Sequence, residues 1–273
     1  MSHFIHTVQA TTLPDLWFQL IYDLMRGNAP HEVYTITSGS YVGQKRLEYR
    51  FLVAEVAHPE SRPLIPDIPP GLGIPAPVED MEYVENYFAQ YLMNPDLEPN
   101  ETYKYASWLA PGVERVIDQL KGSPGNNQAA ISVGGWVPAY SMPYESVVKQ
   151  PRGICTVTDT DNFIDPGTGE RDPACLRTVD FRYDQDGLLH MMVYFRSWDL
   201  FAGLPANLAG LQLLKEYVAE GVGATPGKTI CASKGLHIYS HFIDVAAQRL
   251  GMTDVASMDD FLAYIKGASD AAE

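Results

Sequence analysis

The stretch CLRTVDFRYDQDGLLHMMVYFRS, Cys175 to Ser197, constrains this chain more than any other. Its first half alternates apolar and polar residues. Its second half is almost wholly apolar, and DQDG between them supplies turn residues. Alternation with period two sends successive side chains to opposite faces, so the segment reads as a hairpin: an alternating strand, a turn and a buried strand. The residues that follow read as a helix from about Leu208 to Gly221, and GKTICASKGLHIY as a strand and turn. Strands with helices laid against them make an α+β fold, with antiparallel strands forming the core sheet.

The rest of the chain fits that class. DLWFQLIYDLMRG (Asp15 to Gly27) has helical apolar spacing and ends at a glycine. HEVYTI and KRLEYRFLVAEVAH read as strands, and AAISVGGWV as another. DMEYVENYFAQYLMN reads as a helix with Tyr83, Tyr87 and Tyr91 along one face, and PGVERVIDQLKG as a helix ending at Gly122. SHFIDVAAQRLG reads as a helix near the end, with an acidic, peripheral tail after Thr253. ESRPLIPDIPPGLGIPAPVED is too rich in proline for regular structure and reads as a rigid surface loop. The long polar stretch from Tyr144 to Ala174 reads as a loop, of a length that is usually functional or mobile. With no repeat in its 273 residues, the chain reads as one domain over 1–273.

Composition excludes some partners. A net charge of -15 disfavours nucleic acid and anionic membranes. No apolar run approaches membrane-spanning length, and the N-terminus lacks the pattern of a signal peptide, so the reading is cytoplasmic. The cysteines, Cys155, Cys175 and Cys231, form no CxxC pair, which argues against zinc and against a disulfide framework. No metal is expected.

Cys175 stands where a polar loop meets a strand, with Arg177 and Arg196 near enough in sequence to favour a thiolate. The competing reading is a buried cysteine acting as a small hydrophobe, and Cys155 and Cys231 take that reading. FRSWDLFAGLPANL, Phe195 to Leu208, packs Arg196, Ser197, Asp199 and Asn207 between strand and helix. An arginine and a serine can hold an anion, and an asparagine can match the O4 and N3–H edge of uracil. The plain alternative is a capped helix start, with Asp199 or Asn207 as cap and Arg196 paired to an acid. His237 and Tyr239 lie two apart on a strand, hence on one face, and could grip a hydroxyl, although a lone histidine on an apolar strand is more often a satisfied core residue. Glu82 and Glu85 sit on the tyrosine-rich helix. A carboxylate among aromatics suits proton transfer, although both could simply face water.

In order, a cysteine strand, an R-S-x-D turn, G-L-P-x-N, a long helix and H-x-Y resemble the thymidylate synthase superfamily, over roughly Pro173 to Arg249. SKGLHIY and PNETYKYASW look closest to its divergent archaeal and phage branch. The resemblance implies a largely antiparallel twisted sheet packed with helices, one sheet face forming a homodimer. It implies a pyrimidine nucleoside monophosphate as substrate and 5,10-methylenetetrahydrofolate as co-substrate. Cys175 then resembles the nucleophile that adds to C6. Glu85 resembles the glutamate that organises the proton-transfer water, and Tyr105 the tyrosine that assists loss of the C5 proton. Arg196 and Ser197 resemble the phosphate and thiol-side ligands, Asp199 the pterin ligand, Asn207 the reader of the uracil edge, and His237 and Tyr239 the pair on the sugar 3′-hydroxyl. The implied reaction is dUMP to dTMP. The alternatives are 5-hydroxymethylation of dUMP, dCMP or CMP, with water in place of hydride, then a non-catalytic nucleotide- or RNA-binding relative, and last a cysteine hydrolase.

The chain also departs from the family pattern. GNNQAAISV lacks the Arg-Arg pair that common bacterial members lend across the dimer, and TITSGSYVGQKR lacks the phosphate-loop arginine. Lys45, Arg46 and Gln128 are the candidate replacements. The tryptophan usual before the Tyr105 position is missing, as are the usual C-terminal strand and closing tail. The last two departures leave hydroxymethylation a rival.

Overall fold

The computed structural model describes residues 4–37, 41–68, 73–98, 101, 103–134 and 173–270. Cys155 and most of the long polar stretch lie outside the described residues.

Two sheets share one core. The larger has the strand order β1 (His6–Ala10), β4 (Leu52–Val56), β9 (Thr225–Ser233), β7 (Leu188–Phe195), β6 (Leu176–Tyr183) and β5 (Ala130–Ser132). The smaller runs β2 (His31–Thr35), β3 (Lys45–Tyr49), β10 (Leu236–Tyr239) and β8 (Trp198–Asp199). The hairpin of β6 and β7 forms as the sequence predicts. Its turn is held by Asp184, whose Oδ1 accepts from the amides of Asp186 at 3.0 Å and Leu188 at 2.8 Å. The large sheet is mixed rather than largely antiparallel: β7 runs parallel to β9, and β1 parallel to β4. The helix between β7 and β9 carries the chain back across the sheet, and a crossover of that kind brings the next strand in parallel.

Among the described residues six α-helices accompany the sheets: α1 (Leu13–Met25), α2 (Met81–Tyr87), α3 (Ala106–Leu120), α4 (Gly203–Val222), α5 (Ile243–Arg249) and α6 (Met258–Asp270). A π-turn, Phe88–Met93, continues α2. Thr12 caps α1 by accepting from the Asp15 amide at 3.3 Å, and Leu16, Trp17, Leu20 and Leu24 bury the inner face. Two helices start earlier than the sequence suggests. α3 begins at Ala106, not at Pro111, so Pro111 lies inside it and forfeits one backbone bond. α4 begins at Gly203, not near Leu208, because Pro205 falls in the first turn, where amides have no helical partner to lose. Two further expectations need correction. The proline-rich loop is not wholly superficial, since Leu64, Ile65 and Val78 are buried in the core. The acidic tail is not peripheral: it folds as α6, and Phe261 is fully buried. Charge sets the tail's outer surface, but apolar Met258 and Phe261 dock it.

α4 carries a lysine inward. Lys215 is fully buried; its Nζ donates to the Gly227 carbonyl at 2.5 Å and to Thr229 Oγ1 at 2.9 Å, tying the helix to β9. Burial pushes its pKa down to about 7, against the pull of Glu60 and Glu216. The unfolded chain, with a lysine near its ordinary 10.5, binds that proton more tightly. Stability is therefore expected to rise with pH from about 7 to about 10, at up to roughly 1.4 kcal/mol per pH unit. Lys215→Met should remove this slope, standing ahead of the parent at pH 6 and losing its lead by pH 9 in urea titrations. An unchanged slope in the variant would mean that Lys215 stays charged in the fold.

Candidate active site

The hairpin, the two sheets and the helices converge on one neighbourhood. Cys175 is half-buried just before β6. There the pairing slips, with Leu176 opposite Phe195 but Thr178 opposite Tyr194, so that Arg177 is an extra residue. Bulges of this type re-aim side chains at the ends of strands. The Arg196 amide donates to the Cys175 carbonyl at 2.9 Å. The Arg196 guanidinium holds the preceding backbone, its Nη2 donating to the Pro173 carbonyl and its Nε to Pro173 at 3.1 Å and Ala174 at 3.3 Å. Its hydrogen bonds here are to backbone carbonyls, and they set the loop that presents the cysteine. Cys231 is fully buried on β9, and burial pushes its thiol up to about 12, the inert behaviour expected of it.

Tyr105 packs on the other side of Cys175. Its hydroxyl accepts from the Leu176 amide at 3.3 Å, and its ring meets Tyr91 edge-on at 5.2 Å and Tyr103 at 5.9 Å. Burial, then the neighbouring Tyr87 and Cys175, raise its pKa well above the usual phenol value. It therefore carries its proton at neutral pH.

Asn207 lies in the second turn of α4 rather than at the cap. Its Oδ1 accepts from Trp198 Nε1 at 2.9 Å, and its Nδ2 donates to the Tyr87 hydroxyl at 2.8 Å. Tyr87 gets this close because α4 has Gly210 facing it; a Cβ there would stand 2.6 Å from the ring. Asp199 takes the capping role that the plain reading allowed. Its carboxylate accepts from the amides of Phe201 at 2.9 Å, Ala202 at 3.2 Å and Gly203 at 3.1 Å. Ser197 is half-buried between these groups.

His237 and Tyr239 face the same way from β10, their rings 4.6 Å apart. His237 is buried. Its Nδ1 lies 2.9 Å from the Gly235 carbonyl, which can only accept, so Nδ1 holds the proton and Nε2 is a bare acceptor. Nε2 has no hydrogen-bond partner among the described residues. Burial lowers the imidazole pKa, keeping it neutral. A buried acceptor with no donor among the described residues is a position that can receive a hydroxyl. Register brings β8 and β3 alongside: Asp199 pairs with His237, which pairs with Glu48, while Tyr239 pairs with Arg46. Asp199, Arg46 and Cys175 all perturb the Tyr239 hydroxyl, whose pKa is pushed up to about 12 mainly by burial.

Of the candidate phosphate groups, only Arg46 stands beside this neighbourhood. Lys45 is paired with Asp259 at 2.8 Å, and Gln128 is exposed before β5. Glu85 is not brought to the cysteine. It is exposed on α2, and two residues along a helix turn it about 200° from Tyr87, which faces Asn207. Tyr87 and Trp198 are the residues that the sequence did not single out as site groups. Their signal was position alone: Trp198 occupies the spacer of R-S-x-D, and Tyr87 one step of the tyrosine stripe. No group of histidine, cysteine and carboxylate side chains suited to a metal occurs among the described residues. No described helix is long and apolar enough to cross a membrane.

Residues 162–258 match the family model described as thymidylate synthase. A "putative thymidylate synthase" of Methanosarcina mazei is 30% identical over 170 residues, covering 60% of this chain and 64% of the relative. The protein of that name from Methanosarcina acetivorans is 29% identical over the same length and shares. One from Methanosarcina barkeri is 44% identical over 71 residues, 26% of this chain and 32% of its own. The chain thus spans less than two-thirds of the length of these relatives.

Proposed function

Because the chain belongs to the thymidylate synthase family, as a divergent member, we propose that it transfers a one-carbon unit to C5 of a uracil nucleotide, dUMP to dTMP in the leading form. The single observation that carries the reading is the meeting of Cys175, Tyr105, Asn207 and the open His237 acceptor in one place.

In this reading the Cys175 thiolate adds to C6 of the uracil, and the electron pair moves to C5, which becomes the nucleophile. Asn207 holds O4 and N3–H, stabilising charge that builds on the ring as the thiolate adds. His237 and Tyr239 receive the 3′-hydroxyl. Arg196 and Ser197 line the phosphate side, with Arg46 as a further cation. Tyr105 helps carry away the C5 proton, and loss of the thiolate then restores the ring. Glu85, turned outward on α2, remains the proposed organiser of the proton-transfer water. Methylenetetrahydrofolate would supply the one-carbon unit and, in methylation, the hydride. For it, Asp199 keeps acceptor capacity beyond its three amide bonds. A cavity of about 290 Å³ lined by Tyr83, Asn86, Tyr87, Gln90 and Tyr91 also offers ring faces and amides to a flat heterocycle.

Hydroxymethylation is the second reading. The wall around Tyr105 is built from Tyr87, Tyr91 and Tyr103, and their hydroxyls can keep the water that would replace hydride. Incubation with dUMP and methylenetetrahydrofolate separates the two by product mass, with dihydrofolate absorbance appearing only for methylation. Absence of either product together with no C5 tritium release would sink the reading.

We further propose one catalytic unit in a cytoplasmic homodimer. The outer face of the large sheet presents Met192, Tyr194, Ile230, Ala232 and Val53 half-buried in adjacent registers. A monomer in sedimentation at micromolar concentration would count against the dimer.

A further inference from the structure

We propose that Trp198 sets the base preference of this site by fixing which way the Asn207 amide faces. The inference rests on the function proposed above and adds to it the residue that chooses between uracil and cytosine.

The argument is one of donors and acceptors. An indole N–H can only donate, so the atom 2.9 Å from Trp198 Nε1 must be an acceptor, and the Asn207 oxygen takes that place. The Tyr87 hydroxyl on the other side can donate or accept, so it follows the amide rather than directing it. Trp198 itself cannot turn away. It is buried, its ring lies 4.1 Å from Phe195 with the planes 6° apart, and its amide donates to the Gly235 carbonyl at 2.9 Å. Gly235 is needed for that close approach, since a Cβ there would stand 2.6 Å from the Arg196 carbonyl.

With the amide so fixed, Asn207 has one acceptor direction left on Oδ1 and one N–H left on Nδ2. Uracil offers the complement, N3–H as donor and O4 as acceptor. Cytosine offers the reverse, N3 as acceptor and the N4 amino group as donor. Binding cytosine would need the amide turned over, which would put its NH2 against the indole N–H. Two donors would then face each other, and each would lose its partner. The loss of that arrangement is what makes cytosine the poorer ligand.

The test is calorimetric titration of dUMP and dCMP against the full chain and its variants. The native protein is expected to favour dUMP by about a hundredfold or more, in line with sites whose polar groups are left unpaired by the wrong ligand. Trp198→Phe keeps the stacked ring and removes only the N–H. It is expected to cut the dUMP:dCMP ratio by roughly tenfold, chiefly by tightening dCMP. Trp198→Met repeats the loss of the donor with a different apolar side chain, guarding against a packing artefact in either one. Tyr87→Phe is expected to weaken both nucleotides while keeping the native ratio. A native ratio retained by both Trp198 variants, or a native protein with no base preference, overturns the inference. If dUMP binds and C5 tritium is released while the ratio ignores Trp198, only the inference falls. If neither nucleotide binds the native protein, the proposed function falls with it.

Discussion

Cys175→Ala is expected to abolish release of tritium from C5 of dUMP, a loss on the order of 10⁴ to 10⁶-fold. The size follows from the role. Without the thiolate there is no adduct at C6, and C5 of the pyrimidine is not a nucleophile. Binding should survive, because the groups proposed to hold the nucleotide are elsewhere: Asn207 on α4, His237 and Tyr239 on β10, Arg196 after β7. The informative result is therefore a pair: turnover gone, dUMP affinity within a few-fold of native. Substantial turnover in the alanine variant would refute nucleophilic catalysis by this residue. Loss of both properties would show that Cys175 shapes the loop that Arg196 holds.

The second large effect is on stability. Phe261→Ala should destabilise the fold by about 3–5 kcal/mol, the cost of removing a fully buried aromatic ring and leaving a cavity. The ring stands beside His31 of β2 at 6.4 Å, and further along α6 Ile265 approaches Gly27 at the end of α1. Arg26 also donates to the Tyr264 hydroxyl at 3.0 Å. Urea denaturation followed by circular dichroism gives the number. A cost under about 1 kcal/mol would return the tail to the peripheral place that its acidity suggests.

That tail shows where reading the sequence falls short. Net acidity reports the outer surface of a helix and says little of the two or three apolar side chains that dock it. The starts of α3 and α4 were misplaced for a related reason. Proline marks neither start: Pro205 sits in a first turn capped from Asp199, four residues before Gly203, and Pro111 is carried inside α3. The strands were legible because alternation has a period of two whatever surrounds it. Their pairing was less so, since the parallel match of β7 with β9 is decided by a helix between them. In the candidate site, residues whose chemistry is local stood out in the sequence as candidates: Cys175, Arg196, Asn207, His237. Trp198 and Tyr87 did not, because their importance lies in the atom that each faces, nine residues and 120 residues away. Asp199 took the helix cap, a job that the same residue type performs in many turns without function. Glu85 was expected from its carboxylate among tyrosines, and the phase of the helix turns it outward.

Trp17 draws these elements together over a long span. Its indole N–H lies 3.1 Å from the Leu200 carbonyl and 3.0 Å from that of Phe201, on the turn between Asp199 and α4. A chain emerging from the ribosome makes the α1 segment early and waits through more than half its length for the turn that α1 will hold. The cysteine hairpin is complete in one short stretch, but the groups around it become a site only when the first helix closes over that turn. Loop closure of this length is slow and entropically costly. Competence to bind nucleotide should therefore be among the last properties the folding chain acquires, and a fragment that begins after α1 should keep its hairpin and lack its site.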